Sequence, residues 1–266
     1  MSTTAARRTA LITGASGGFG AEFARLFAAD GFDLILVARS GAAMEEIAQV
    51  EEERHGINVT VLPKDLSKPG AARDVMASVE ERALSVDALV NNAGFSTYGP
   101  FVETDAQTMV DMLQVNTAVL TELTRACLPG MIARGWGRVM LLGSIGSFTP
   151  APMTAAYAAT KAYVLSLGLA LVEELKGTGV SVTTLCPGPT QTGFQDRAAM
   201  HDSKLVQGKK LPSAEEVADA GYAAMKRGRP YLVTGNQSRL FAFGTRFLPR
   251  STATRIAGQS QRRASS

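Results

Sequence analysis

Seven short apolar runs constrain this chain more than any other feature. Thr9 to Ile12, Leu34 to Ala38, Val59 to Leu62, Ala88 to Asn91, Val139 to Leu142, Val180 to Leu185 and Tyr231 to Val233 are mostly apolar throughout rather than alternating. A strand with one wet face alternates, whereas a strand covered on both faces does not. Helix-like stretches separate the runs. One sets Phe19, Phe23, Leu26 and Phe27 at helical spacing and stops at Gly31, a C-terminal cap signal. Another opens Ser213-Ala214-Glu215-Glu216, the pattern of a capping box. Alternating β and α units predict an α/β fold, a doubly wound parallel sheet of about seven strands with helices on both faces. A single domain is expected over residues 5–236, with 237–266 as an appended tail.

Between the first strand and its helix the chain reads Thr13-Gly14-Ala15-Ser16-Gly17-Gly18-Phe19-Gly20. Glycines in this context, after a strand and opening a helix, cradle phosphate. Gly14 permits the tight turn, and Gly18 and Gly20 let backbone approach a pyrophosphate. The helix N-terminus adds partial positive charge and free N–H groups. The sheet is therefore expected to be Rossmann-like. The second strand ends Val37-Ala38-Arg39-Ser40, with no acid to hold a ribose 2′-hydroxyl. A guanidinium at Arg39 suits a 2′-phosphate, which favours NADP(H) over NAD. The alternative is a solvated surface arginine.

Farther on come Ser144, Tyr157 and Lys161. Tyrosine and lysine four residues apart share one helix face. A phenol near pKa 10 is a poor acid or base at neutral pH, and a neighbouring cation lowers that value. Ser144 offers a hydroxyl to hold a substrate oxygen. A nucleotide cradle and a tunable phenol in one domain suggest hydride transfer, although a plain helix-surface Tyr–Lys pair would look the same. Cys186 reads as a small buried residue, not a nucleophile.

The ordered set Gly14-x-x-x-Gly18-x-Gly20, Asn91-Asn92-Ala93-Gly94, Asn116, Ser144, Tyr157-x-x-x-Lys161 and Pro187-Gly188 resembles the short-chain dehydrogenase/reductase family in its compact form. The resemblance implies NADP(H)-dependent interconversion of a ketone or aldehyde and an alcohol, with Tyr157 as acid and base. Lys161 would lower the Tyr157 pKa and bond the nicotinamide ribose. Ser144 would hold the carbonyl oxygen, and the Asn116 backbone would help hold a water. Ser16 and Phe19 belong to the glycine loop. Asp65, in Lys64-Asp65-Leu66, matches the position that holds the adenine. Asn91, Ala93 and Gly94 match a motif that lines the adenine ribose and stabilises the central strand. Pro187, Gly188, Thr190 and Thr192 match the loop at the nicotinamide carboxamide and pyrophosphate. Thr190 stands where the family often has an aliphatic residue, and Phe19 where it commonly has isoleucine or leucine. A homodimer or homotetramer through the helices carrying Asn116 and Tyr157 is implied. A non-catalytic NADP-binding regulatory protein, or a dehydratase or epimerase on the same scaffold, are the alternatives.

Candidate substrate residues follow these motifs: Phe95, Ser96 and Tyr98, then Ser147, Phe148 and Met153, and lastly Phe194. Their mostly apolar character suggests a small hydrophobic carbonyl or alcohol. The polar stretch 193–212 reads as a lid.

The remaining composition mostly excludes. No run approaches the roughly 20 apolar residues of a membrane helix. The first strand begins too near the N-terminus for a signal peptide. Cys127 and Cys186 imply no disulfide framework, and with His55 and His201 alone no zinc site is expected. A cytoplasmic protein without a metal is the expectation. Net charge is +3, yet Asp219 is the last acidic residue. Beyond it arginines interleave with apolar residues, as in Arg239-Leu240-Phe241-Ala242-Phe243 and Arg246-Phe247-Leu248. Such a tail suits subunit packing, closure over a substrate entrance, or peripheral contact with an anionic membrane. No nucleic-acid-binding module accompanies the charge, so none is expected to bind.

Overall fold

In the computed structural model, which describes residues 7–193 and 211–261, every apolar run forms a strand. They are β1 (Thr9–Thr13), β2 (Asp33–Ala38), β3 (Val59–Pro63), β4 (Ala88–Asn91), β5 (Gly137–Leu142), β6 (Val180–Cys186) and β7 (Tyr231–Val233). All pair in parallel in the order β3-β2-β1-β4-β5-β6-β7. The bounds differ from the apolar runs by only a residue or two at some ends. The chain steps outward from β1 to β3 and returns to β4 on the other side of β1. That reversal opens a crevice at the C-terminal ends of β1 and β4, where doubly wound sheets bind ligands.

The strands are apolar at nearly every position because each serves two cores. Leu11, Ile35, Leu89, Val139 and Val182 point to one layer. It is closed by α3 (Ala71–Glu81), α5 (Leu120–Ala133) and α6 (Ala155–Glu174). Ala10, Ile12, Leu34, Leu36 and Met140 point to the other. There α1 (Phe19–Ala29), α2 (Gly41–His55) and α7 (Ala214–Lys226) close it. Phe27 of α1 meets Tyr222 of α7 edge-on at 4.9 Å. The Ser213–Glu216 capping box opens α7 as expected.

One helix departs from the sequence expectation about membrane spans. α6 is 20 residues long and apolar enough to cross a membrane by length and composition. It packs on the sheet instead, where a Cβ on Gly168 would fall 2.1 Å from Thr184 Oγ1. Its side chains Tyr157 and Lys161 interrupt the apolar run.

Residues 236–261 fold back onto the body as α8 (Asn236–Gly244) and α9 (Arg250–Gln261). Ala242 is buried with Leu165, Cys186 and Val233. A Cβ on Gly258 would lie 3.1 Å from Pro152, and the Tyr98 hydroxyl donates to the Gln261 carbonyl at 2.6 Å. Phe194, His201 and most of the expected lid lie outside the described residues.

Candidate active site

The glycine turn is built by Thr13 and Asn92. Thr13 Oγ1 donates to the Val90 carbonyl at 3.3 Å and accepts from the Asn92 and Ala93 amides, both at 3.0 Å. The Asn92 side chain donates to the carbonyls of Thr13 (2.9 Å) and Gly14 (3.1 Å). Gly14 takes φ +65°, and a Cβ there would fall 2.8 Å from Asn92 Nδ2. Asn92 is therefore a functional residue that sequence reasoning passed over, its only signal being its place beside Asn91. Gly18 caps α1 with no side-chain hydrogen bond, so the first-turn N–H groups remain for a ligand. A Cβ on Gly17 would meet nothing within 4 Å. Glycine backbone, open space and an uncapped helix N-terminus fit a pyrophosphate. The Phe19 ring packs on the α1 core layer, so only its backbone belongs to the loop. Ser16 is half-buried within the turn.

At the adenine end, Asp65 accepts from the Ser67 amide (3.0 Å) and hydroxyl (2.9 Å). The Ser67 amide, its hydroxyl and the nearby charges of Lys68 and Arg39 outweigh partial burial and hold the carboxyl below its usual range. Arg39 is exposed, one residue beyond β2. Two expected cofactor residues use their side chains elsewhere. Leu66 is buried in the core. Asn91 donates to Thr124 Oγ1 at 2.9 Å, bracing β4 against α5. Gly94, next along, lies against Asn116 and Lys161: a Cβ there would sit 3.0 Å from Asn116 Oδ1 and 3.4 Å from Lys161 Nζ.

Ser144 follows β5 and caps a short 3₁₀ turn. Its Oγ accepts from the Gly146 amide at 3.1 Å, while its own amide donates to Ser147 Oγ at 3.1 Å. Ser147 Oγ also donates to the Lys161 carbonyl at 2.7 Å, so this residue holds α6 to the β5 loop. The Ser144 hydroxyl is close enough to the phenol of Tyr157, in the first turn of α6, to favour its ionised form. One turn later, Lys161 is buried, donates to the Leu142 carbonyl at 2.7 Å and lies 5.6 Å from the Tyr157 ring centre. Asn116 sits in a π-helical turn, Gln114–Val119. Its amide clamps Phe95 from both sides, accepting from N–H at 3.1 Å and donating to C=O at 3.0 Å, and donates to Thr160 Oγ1 at 3.1 Å.

The electrostatics correct one sequence expectation. In the protein alone the Tyr157 phenol is pushed up to about 12 by burial, with the Ser144 hydroxyl opposing. Burial pushes Lys161 down to about 8. Desolvation penalises both charged forms and here outweighs the attraction expected between them. Cys186, beside this site, is buried and its thiol is pushed up to about 12, which suits an inert residue.

The loop after β6 faces the glycine turn. The Pro187 carbonyl accepts from the Ile145 amide at 2.8 Å, and Thr190 Oγ1 donates to the Gly188 carbonyl at 2.9 Å. Thr192 Cβ lies 3.8 Å from where a Gly18 Cβ would be. A Cβ on Gly188 would fall 2.3 Å from Ser238 Oγ, so α8 backs this loop.

The expected substrate residues divide. Phe95 packs on the core, Ser96 is buried and bonds the Thr97 carbonyl, and Phe148 packs toward Tyr231 at 6.3 Å. Tyr98 and Met153 instead stand together beside α9, joined by the Gly99 amide donating to the Met153 carbonyl at 2.9 Å. Met153 has φ +71°, a conformation that costs a non-glycine residue and is concentrated at functional sites.

A family model described as short chain dehydrogenase matches residues 8–202. Uncharacterized oxidoreductase YmfI of Bacillus subtilis is 31% identical over 80% of this chain and 89% of its own. A very-long-chain 3-oxoacyl-CoA reductase of Pyrenophora tritici-repentis is 37% identical over 65% of this chain, a match spanning about half of that reductase (52%). A short-chain dehydrogenase of Sphingobium yanoikuyae, solved in complex with NADPH, superposes with a TM-score of 0.81 at 32% identity, covering 90% of this chain and 93% of that one. Fold, motif order and these likenesses agree, and the chain belongs to the short-chain dehydrogenase family.

Proposed function

We propose that this oxidoreductase interconverts a hydrophobic ketone or aldehyde and its alcohol with NADP(H), Tyr157 moving the proton. The observation that carries the reading is the Tyr157 phenol under the influence of the Ser144 hydroxyl, with Lys161 buried one turn away and bonded to the Leu142 carbonyl. These groups stand at the same sheet edge as the glycine cradle. A bound nicotinamide supplies the hydride in reduction and takes it in oxidation. Ser144 orients the substrate oxygen, and Tyr157 gives that oxygen a proton or removes one. An ammonium has three N–H groups, and among the described residues the Leu142 carbonyl is the acceptor bonded to Lys161. The others suit a ribose hydroxyl. Bringing that ribose and a cationic ring beside Tyr157 opposes the burial that raises the phenol.

NADP(H) is favoured by Arg39 at the end of β2 without an acid there, and by the NADPH complex of the Sphingobium relative. A hydrophobic substrate is favoured by Tyr98 and Met153. Self-association is proposed through the outer faces of α5 and α6. There a groove runs past Leu113, Thr121 and the exposed Tyr163, whose hydroxyl lies 2.7 Å from Thr121 Oγ1.

The test is a panel of alkyl and aryl ketones, with the matching alcohols, followed by nicotinamide absorbance. One cofactor oxidised per carbonyl reduced is expected. Tight NADPH binding with no turnover on any substrate would make the chain a regulatory binder. Product without net cofactor change would make it a dehydratase or epimerase.

A further inference from the structure

We propose that the outer face of α8 docks on an anionic lipid bilayer. Leu240 and Phe243, three residues apart on α8, and Phe247, in the turn that follows the helix and bonded back to the Gly244 carbonyl, form one outer face. They are 73%, 57% and 73% exposed, and Leu248 beside them is 39% exposed. The rings of Phe243 and Phe247 meet edge-on at 5.1 Å, so the apolar surface is continuous. The opposite side of α8 is anchored, because Ala242 is buried against Leu165, Cys186 and Val233. The aromatic face therefore cannot roll inward without breaking that cluster.

Charge selects the occupant. Arg239, Arg246 and Arg250 border the apolar residues, and no acid follows Asp219 in the sequence. Arg239 donates to the Val233 carbonyl at 2.9 Å and Arg246 to the Tyr231 hydroxyl at 3.0 Å. These bonds fix two cations at the rim of the patch. A second copy docking by two-fold symmetry would bring this patch against itself, setting arginines against arginines with no acid of the tail between them. An anionic headgroup layer complements the arginines, while its acyl boundary takes the phenylalanines and leucine. Ser238, on the same helix, lies against Gly188 of the loop facing the glycine turn. A bilayer at α8 would thus adjoin the catalytic edge.

Vesicle co-sedimentation of the full chain tests this. The vesicles are phosphatidylcholine alone or phosphatidylcholine with phosphatidylserine. Three surface arginines predict binding on the order of 100-fold tighter to the anionic vesicles at low salt. The double variant Phe243→Ser/Phe247→Ser should lose at least roughly 10-fold of that binding. It should keep the wild-type thermal midpoint and cofactor affinity, since both rings are exposed. Failure to sediment with anionic vesicles would overturn the proposal. So would equal binding to both compositions, or equal binding by the double variant. A concentration-dependent mass increase that the double variant abolishes would assign the face to a second copy instead.

Discussion

Tyr157 and Lys161 show a conflict between stability and chemistry inside one helical turn. Removing the phenol oxygen removes the proposed proton carrier but little of the proposed cofactor contact. Tyr157→Phe is expected to lower kcat by about 10²–10⁴-fold, with NADPH affinity, read by fluorescence titration, unchanged within a few-fold. Lys161 is penalised by burial, which pushes it to about 8. The fold therefore disfavours its charged form below about pH 8, and the penalty fades as pH rises toward the ordinary lysine range. That shift corresponds to about 3 kcal/mol, offset by about 1 kcal/mol for the bond to the Leu142 carbonyl. Lys161→Met should accordingly raise urea-unfolding stability at pH 7 by about 2 kcal/mol, the difference of those terms. The gain should shrink by pH 10 while turnover is lost. A midpoint that falls at pH 7 would show the cation to be structurally favourable. Arg39 carries the coenzyme choice. Arg39→Asp should weaken NADPH by at least about 10-fold, the loss of one charge-assisted pair, and leave NADH nearly untouched. Equal effects in paired titrations would remove the 2′-phosphate reading. The triad was legible as spacing, but the sense of its electrostatics was not, because burial is a property of the fold.

The βα turn after β1 shows how an element makes a ligand site. A Cβ on Gly20 would fall 2.2 Å from the Gly14 carbonyl oxygen and 2.8 Å from Asn92 Nδ2. No rotamer relieves that clash, so Gly20→Ala must push α1 away from β1. We expect a destabilisation of about 1–3 kcal/mol, typical of overpacking, and a loss of dinucleotide affinity, measured by thermal melts with and without NADPH. Wild-type behaviour in both would show that the turn relaxes freely. The glycines could be read from the sequence, as could the capping box at Ser213. The π-helical turn around Asn116 could not, since Gln114 to Val119 has the composition of ordinary helix. Its conformation serves contacts to Phe95 and Thr160, which are distant in sequence. Asn91 and Leu66 turn their side chains to Thr124 and to the core. Their motifs mark backbone positions, and packing decides where the side chain turns.

At the scale of the whole molecule, the groove beside Tyr163 and the tail are the surfaces proposed to meet partners outside the chain. Tyr163→Arg adds a charge to the proposed α5–α6 interface at an exposed position. It should lower the mass measured by light scattering without lowering the monomer's helical content. An unchanged mass would place the interface elsewhere. The tail is not a loose extension: α9 reaches Pro152 and Tyr98, and α8 backs the loop at Gly188.

The amino-acid sequence alone determined the strand-by-strand architecture, the glycine turn and the spacing of Ser144, Tyr157 and Lys161, because these depend on periodicity and on residue types at fixed positions. Tertiary structure decided which residues meet across long stretches of chain: Asn92 on Gly14, Asn116 on Phe95, Gln261 on Tyr98. It also decided the protonation balance of Tyr157 and Lys161, since desolvation and contact arise only when distant segments exclude water together.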